Sequence, residues 1–382
     1  MRLPRKSESY ADIDEPEATR MLHYAIDHGV NYLDTAYNYH EGNSERFLGR
    51  ALKGGYREKV KLATKLFPLS IKEYNDFDVL LNEQLERLQT DHVDFYLLHG
   101  MNCRWWPRLR DLDVLSWVEG AVSDGRINYL GFSFHDEWPF FQEIVDAYDK
   151  WTFCQIQYNY MDITHQAGIK GLQYVASKGL AVVIMEPLLG GWLASAPPSV
   201  QNLWDTASTK WAPAEWGLQW LWNQPEVSIV LSGMSTMQQV KENVASADRS
   251  SINMLSEEDL MLVDQVREAY QGLRPILCTG CNYCMPCPNG VDIAYNFKLY
   301  NDGVMHEREN PQRARGWYRF MESGYEGDYH REKGQAALCI QCQECEEKCP
   351  QSIPISELMP IVHRVLGEGK SYDECPLPGD LN

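Results

Sequence analysis

Eight of the chain's eleven cysteines fall into two short runs near its C-terminal end. The first reads Cys278-Thr-Gly-Cys281-Asn-Tyr-Cys284-Met-Pro-Cys287-Pro, the second Cys339-Ile-Gln-Cys342-Gln-Glu-Cys345-Glu-Glu-Lys-Cys349-Pro. Two-residue intervals let three thiolates wrap one corner of an iron–sulfur cubane, while a fourth cysteine followed by proline points away and ligates a second cluster. By that logic Cys278, Cys281, Cys284 and Cys349 hold one [4Fe–4S] cluster, and Cys339, Cys342, Cys345 and Cys287 hold the other. The first run is one residue short in its last interval, which makes Cys287 the least regular ligand. Structural zinc is the competing reading. Four-cysteine zinc sites usually pair two separated Cys-x-x-Cys units, and two four-cysteine runs that both end in Cys-Pro favour iron. Cys103, Cys154 and Cys375 stand alone and read as buried or inert thiols.

A second set of reactive residues lies upstream, each at the end of an apolar run. Asp34 closes Asn31–Asp34, Lys65 closes Val60–Lys65 and His99 closes Val93–His99. Charged side chains are rarely buried without a partner, so an aspartate and a lysine that end adjacent strands should pair. A tyrosine beside them gains a cationic neighbour, which favours phenolate and brings its pKa down from ~10. Such a tyrosine then becomes an acid/base suited to neutral pH; Tyr37 and Tyr39 both follow Asp34 closely in sequence.

Holding those residues together is the work of alternating elements. Short strand-like runs recur at Asn31–Asp34, Val60–Lys65, Val93–His99, Ile127–Ser133, Phe153–Gln157, Ala181–Met185 and Val227–Ser232. Between them lie stretches with helical periodicity, such as Glu17–Ile26 and Val79–Leu88. Buried strands joined by helices predict an α/β fold with a parallel sheet and helices outside it. Over residues 1–272 the count predicts a (β/α)8 TIM barrel, with no early Gly-x-Gly-x-x-Gly to argue for an open doubly wound sheet. Active sites of this fold sit at the C-terminal ends of its strands, where Asp34, Lys65 and His99 fall. The first strand is nearly missing at Met1-Arg2-Leu3-Pro4, or else the reading frame begins upstream of Met1. Past Gly272 the composition shifts, and residues 273–382 predict a mostly helical domain built around the two cysteine runs.

The 382 residues carry 54 Asp+Glu against 35 Lys+Arg, a net charge of −19. Nucleic acids and anionic membranes both call for a basic face, so neither is an expected partner. No apolar run approaches the ~20 residues of a membrane span, and no apolar core of a secretory signal follows the N-terminal charges. The expected compartment is the cytoplasm, whose reducing thiol pool also favours clusters over disulfides.

Asp34-x4-Tyr39, then Lys65, then His99 resemble, in order and at strand ends, the tetrad of the aldo-keto reductase family. Gly131-Phe132-Ser133 and Cys154–Asn159 extend the similarity over nearly all of residues 1–250. The tail makes the ferredoxin-tailed, 4Fe–4S-containing branch the nearer match. The resemblance implies that Tyr39 donates a proton to a carbonyl oxygen while nicotinamide delivers hydride to the carbon. In it Lys65, held by Asp34, tunes Tyr39, and His99 orients the carbonyl. Ser133 and Gln155 would hold the nicotinamide carboxamide, Met185, Pro187 and Leu188 would lie along the cofactor, and Gly233, Ser235, Gln239 and Asn243 resemble the dinucleotide loop. Four positions depart from the pattern. Phe134 replaces the asparagine after the serine, and Met185 replaces the aromatic that stacks on nicotinamide. Gly233 and Gln239 stand where many relatives place Lys and Arg on a 2′-phosphate, which leaves NADP and NAD both open.

The expected function is therefore an NAD(P)H-dependent carbonyl/alcohol interconversion on a small substrate, with two [4Fe–4S] clusters for electron transfer. Hydride carries two electrons and a cubane one. Either the clusters feed a partner flavoprotein or other electron-transfer partner, or the barrel binds something other than nicotinamide, or the clusters are structural. The alternative from another class is an electron-carrier or redox-sensing module whose barrel binds a dinucleotide without turnover. Cys103–Pro107, after His99, reads either as a wall of the substrate pocket or as plain surface loop. The tryptophan-rich stretch Trp192–Trp211 hints at an apolar or aromatic substrate.

Overall fold

The computed structural model describes residues 2–7, 9–322 and 334–378. Seven parallel strands form one sheet in chain order: β1 Tyr32–Asp34, β2 Lys61–Leu66, β3 Val93–Met101, β4 Ile127–Phe134, β5 Phe153–Gln157, β6 Ala181–Met185 and β7 Ile229–Val230. Every strand predicted from the apolar runs is present. Helices connect them, among them Glu15–Asp27, Asn43–Ala51, Asp76–Leu88, Val114–Ser123, Gly168–Ser177 and Met237–Asp248. Neighbouring strands joined by helical crossovers curl the sheet into a TIM-like α/β barrel. Among the described residues no N-terminal strand joins the sheet; instead Arg5 pairs with Ile13 in an isolated antiparallel bridge. No helix of the described residues is long and apolar enough to cross a membrane.

The two-residue period of a strand decides what the barrel interior sees. Ala63, Leu97, Phe153 and Val183 form one apolar layer, with Tyr32, Phe95, Ala181, Ile229 and Leu231 packed against it. One step further along the same strands, at the same parity, come Asp34, Lys65, His99, Gln155 and Met185. Ser133 takes the equivalent place on β4, two residues beyond Gly131. That glycine has a packing reason: a Cβ there would lie 2.6 Å from the Phe153 ring.

By packing, the chain divides into two compact units, residues 1–194 with 211–260 and residues 195–210 with 261–382. The composition placed the boundary after Gly272 because the cysteines begin there. The division by packing falls inside the helix Glu257–Gly272 and groups residues 195–210 with the second unit. The Tyr270 ring, near the end of that helix, packs 5.1 Å from that of His306 within the second unit. The second unit is mostly helical, as expected, with Ile293–Glu307, Gln312–Glu322 and Ile355–Leu366 around a core that includes Phe297, Tyr318, Met359 and Val362.

Candidate active site and cluster cradles

Lys65 is almost wholly buried, at 1% exposure. Its Nζ donates to Asp34 Oδ1 at 2.6 Å and to the Thr35 carbonyl at 2.7 Å. A lone buried ammonium is costly, and a paired, hydrogen-bonded one much less so. Burial pushes the Lys65 pKa down, and the charge and hydrogen bond of Asp34 push it back up. The same Nζ lies 4.9 Å from the centre of the Tyr39 ring, and that ring meets His99 edge-on at 5.9 Å. The structure thus brings Asp34, Tyr39, Lys65 and His99 to one end of the barrel. His99 is held well below the usual histidine range, first by burial and then by the Lys65 charge. It is a neutral imidazole at neutral pH, and its Nδ1 is buried without a hydrogen-bond partner among the described residues.

Behind Lys65 stands a polar layer that the sequence reading missed. Glu45, fully buried on the helix Asn43–Ala51, accepts from Thr64 Oγ1 at 2.6 Å and from Gln84 Nε2 at 2.8 Å. Gln84 also donates to the Lys65 carbonyl at 3.0 Å and accepts from Tyr96 OH at 2.8 Å. Arg87 approaches Glu45 Oε2 at 3.4 Å and stacks 3.9 Å above the Tyr37 ring. Burial raises the Glu45 carboxyl, against the opposing pull of these hydrogen bonds and of Arg87. An acidic residue in a helix's first turn ordinarily reads as a solvated charge on the helix dipole, so its spacing gave no signal. His135, just past β4, was missed too. Burial, and next His165, push its pKa down to about 4.

Ser133 and Gln155 are paired in register across β4 and β5. Ser133 Oγ accepts from the Gly100 amide at 2.8 Å, which leaves its own proton to give. Gln155 Oε1 is buried with no partner among the described residues. An unmet buried acceptor costs roughly 1–3 kcal/mol, and a carboxamide NH2 would meet it, so these two residues fit the head of a nicotinamide. Phe134, in the asparagine's place, is a core side chain packed 5.0 Å from Phe141. Met185 ends β6, with Pro187 and Leu188 in the loop behind it.

The last group is arranged differently from a phosphate clamp. Gln239 and Thr236 form a capping box at the start of Met237–Asp248, and Gln239 Oε1 accepts from the Ser235 amide at 2.8 Å. Asn243 donates to Ser232 Oγ at 2.9 Å. Gln239 and Asn243 therefore serve their own loop. At Gly233, Arg2 carbons lie within about 3 Å of where a Cβ would stand, and Arg2 Nη1 donates to the Gly190 carbonyl at 2.6 Å.

In the second unit, Cys278, Cys281, Cys284 and Cys349 line one cavity, while Cys287, Cys339, Cys342 and Cys345 line a second. The shortened interval before Cys287 does not keep it from crossing. Ile293 and Ile355 contribute to both cavities, beside Phe297 in the first and Met359 in the second. Among the described residues no three His, Cys, Asp or Glu side chains are close enough to hold a single metal ion. Soft thiols spread around apolar cavities fit the faces of a multi-iron cluster. Burial pushes the Cys284 and Cys345 thiols up to about 11, and a bound metal cation favours the thiolate form.

The lone cysteines carry no such arrangement. Cys154 and Cys375 are buried. The Cys103 thiol, pushed up to about 11 by burial and then by Asp136, is not a nucleophile at neutral pH. Trp105 and Trp106, in the segment read as pocket wall or surface loop, are buried at the start of the helix Trp105–Asp111.

Comparison with known proteins divides the chain along similar lines. The model for the aldo/keto reductase family matches residues 1–268, and that for a 4Fe-4S dicluster domain matches residues 277–353. The chain is 31% identical over 203 residues to the uncharacterized oxidoreductase YrpG of Bacillus subtilis (strain 168), a match covering 48% of this chain and only 60% of that protein. It is 26% identical over 288 residues to L-galactose dehydrogenase of Arabidopsis thaliana, covering 69% of this chain and 88% of the relative. Among solved structures it is similar to the holo form of aldo-keto reductase AKR11C1 from Bacillus halodurans, with a TM-score of 0.58 and 25% identity over 69% of this chain and 91% of that one. An aldo-keto reductase from Klebsiella pneumoniae in complex with NADPH shares the fold, with a TM-score of 0.56 and 24% identity over 66% of this chain and 85% of the other.

Proposed function

This chain belongs to the aldo/keto reductase family and carries a 4Fe-4S dicluster domain behind its barrel, and from that premise we propose that it is an NAD(P)H-dependent oxidoreductase interconverting a carbonyl and an alcohol on a small substrate. The observation that carries this reading is the convergence of Asp34, Lys65, Tyr39 and His99 at one end of the barrel, one step beyond its apolar layer.

Each side chain has a physical task in it. Asp34 keeps the buried Lys65 charged, and a cation 4.9 Å from the Tyr39 ring favours the phenolate form. The Tyr39 hydroxyl therefore passes its proton to a carbonyl oxygen, or takes it back from the alcohol, near neutral pH. His99, uncharged, donates a hydrogen bond to the same oxygen and fixes its direction. Ser133 donates to the nicotinamide carboxamide oxygen and Gln155 Oε1 accepts from its NH2, which sets one ring face toward the substrate. Bound there, nicotinamide supplies or accepts the hydride. Solved aldo-keto reductases of the same fold in complex with NADPH, and with NADP and acetate, support the choice of cofactor.

The eight cysteines are read as the ligands of two [4Fe–4S] clusters, which supply one-electron transfer when bound. A flavoprotein or other electron-transfer protein is the proposed partner, because hydride pairs and single electrons need a converter between them. The test of the barrel chemistry is Tyr39→Phe. Turnover of aldehydes with NADH or NADPH should fall by at least about a hundredfold, with dinucleotide affinity unchanged. An unchanged kcat would remove the mechanism.

A further inference from the structure

The two cysteine runs repeat one backbone in two electrostatic settings. Gly280 (φ +70°) and Asn282 (φ +60°) take left-handed conformations two and four residues after Cys278; Gln341 (φ +59°) and Gln343 (φ +66°) do the same after Cys339. The Asn282 carbonyl accepts from the Met285 amide at 3.0 Å, and its counterpart, the Gln343 carbonyl, accepts from Glu346 at 2.9 Å. The amide bonds Gly290 to Cys287, at 3.0 Å, and Ser352 to Cys349, at 3.1 Å, match as well. In the second run the Gln341 amide also donates to the sulfur of Cys339, at 3.4 Å. Both cavities share Ile293 and Ile355. The backbone course of the two runs and part of the apolar wall are thus closely matched.

Charge is not matched. From Pro275 to Val291 the chain carries no ionisable residue except its cysteines and Tyr283. Between Cys339 and Cys349 it carries Glu344, Glu346 and Glu347 against one Lys348. The Glu346 carboxylate is fixed beside Cys345 by the Ser356 amide, at 2.6 Å. Tyr283 and Glu344 occupy equivalent places, each the residue before the third cysteine of its run, and both are exposed. An electron added at the second cradle meets the Glu346 carboxylate fixed beside Cys345.

We propose that the two cradles impose unequal potentials, so that the cluster of Cys278, Cys281, Cys284 and Cys349 takes the first electron and the cluster of Cys339, Cys342, Cys345 and Cys287 the second. The inference rests on the two-cluster reading given above. With both clusters bound, an electron reaching the second cradle would pass on to the first, one cluster losing the electron that the other gains. The first cradle is then the electron's resting place. Its rim carries Leu277 and Tyr283, 70% and 69% exposed.

The test is an anaerobic redox titration of the full chain, with dithionite as reductant and the reduced clusters counted by electron paramagnetic resonance. Two separate one-electron steps are expected. Glu344→Gln should raise the lower step and leave the upper one in place, whereas Tyr283→Glu should lower the upper step toward the other. Both substitutions are at exposed positions, and iron content checks that each variant is loaded. Two electrons taken up at one potential would overturn the inference while leaving the two-cluster reading intact, as would a Glu344→Gln shift confined to the upper step. A preparation with no cubane signal and no iron would overturn both.

Discussion

Lys65 has an ammonium buried to 1% exposure with a single carboxylate, Asp34, bonded to it. Breaking a buried ion pair on one side leaves the other charge uncompensated and typically costs about 3–5 kcal/mol. Asp34→Asn should therefore lower stability by that order in urea unfolding, and should also move the basic limb of the activity–pH profile, because Lys65 then holds its proton less firmly. A second residue-scale expectation concerns His135, whose folded pKa is pushed down to about 4. Between that value and the ordinary ~6.5, the unfolded chain binds a proton that the folded chain does not. Stability contributed this way is present above about pH 6.5 and is lost as pH falls. The urea midpoint at pH 5 should lie below that at pH 7, and His135→Asn should shrink the difference. A midpoint that stays level, or a variant with the same slope as the parent, would show that His135 is not kept neutral by the fold. Asp34, Lys65 and His99 were legible because charged or titratable residues end apolar runs. Glu45 and His135 were not, because burial of a polar side chain is decided by what packs over it.

Strands and helix ends were the best-marked elements. β4 required a gap opposite Phe153, and Gly131 supplies it; adding one methyl group places a Cβ 2.6 Å from both the Phe153 ring and its carbonyl oxygen. Gly131→Ala should cost about 1–3 kcal/mol, as overpacking usually does, measured by the unfolding midpoint. The capping box of Met237–Asp248 gives a milder case: Thr236→Ala removes the acceptor of the Gln239 amide and should cost about 1 kcal/mol. At Trp105 and Trp106, by contrast, sequence left wall and surface both open. Only packing made them core, because an indole pair in a short helix carries no periodicity long enough to show which side is covered.

For the whole molecule, two packed units and a charge of −19 set what can be measured. The second unit's core includes Cys284 and packs the other cluster cysteines against its edge, so binding of metal there is coupled to folding. Anaerobically prepared protein should be brown, absorb near 400 nm, and hold on the order of eight iron atoms per chain if both cradles are filled. Stripping the iron with an oxidant and a chelator should lower the melting temperature of the second unit and leave that of the barrel in place by calorimetry. A colourless, zinc-loaded protein of equal stability would contradict the cluster assignment. The relatives described above cover about half to two thirds of the chain, so the partnership between barrel and cradles is a property to be measured on this protein.

Spacing and periodicity are local properties, and the sequence by itself determined what depends on them: the strands of the barrel, the side-chain parity that sends Asp34, Lys65, His99 and Gln155 to one face, and the two thiol sets with their crossing. Tertiary structure alone decided which groups lose water and which meet across long separations. It put Glu45 beneath Lys65, neutralised His99 and His135, spent Gln239 on its own helix, and grouped residues 195–210 with the second unit. Desolvation and long-range pairing depend on neighbours distant in the chain, and no spacing rule carries that information.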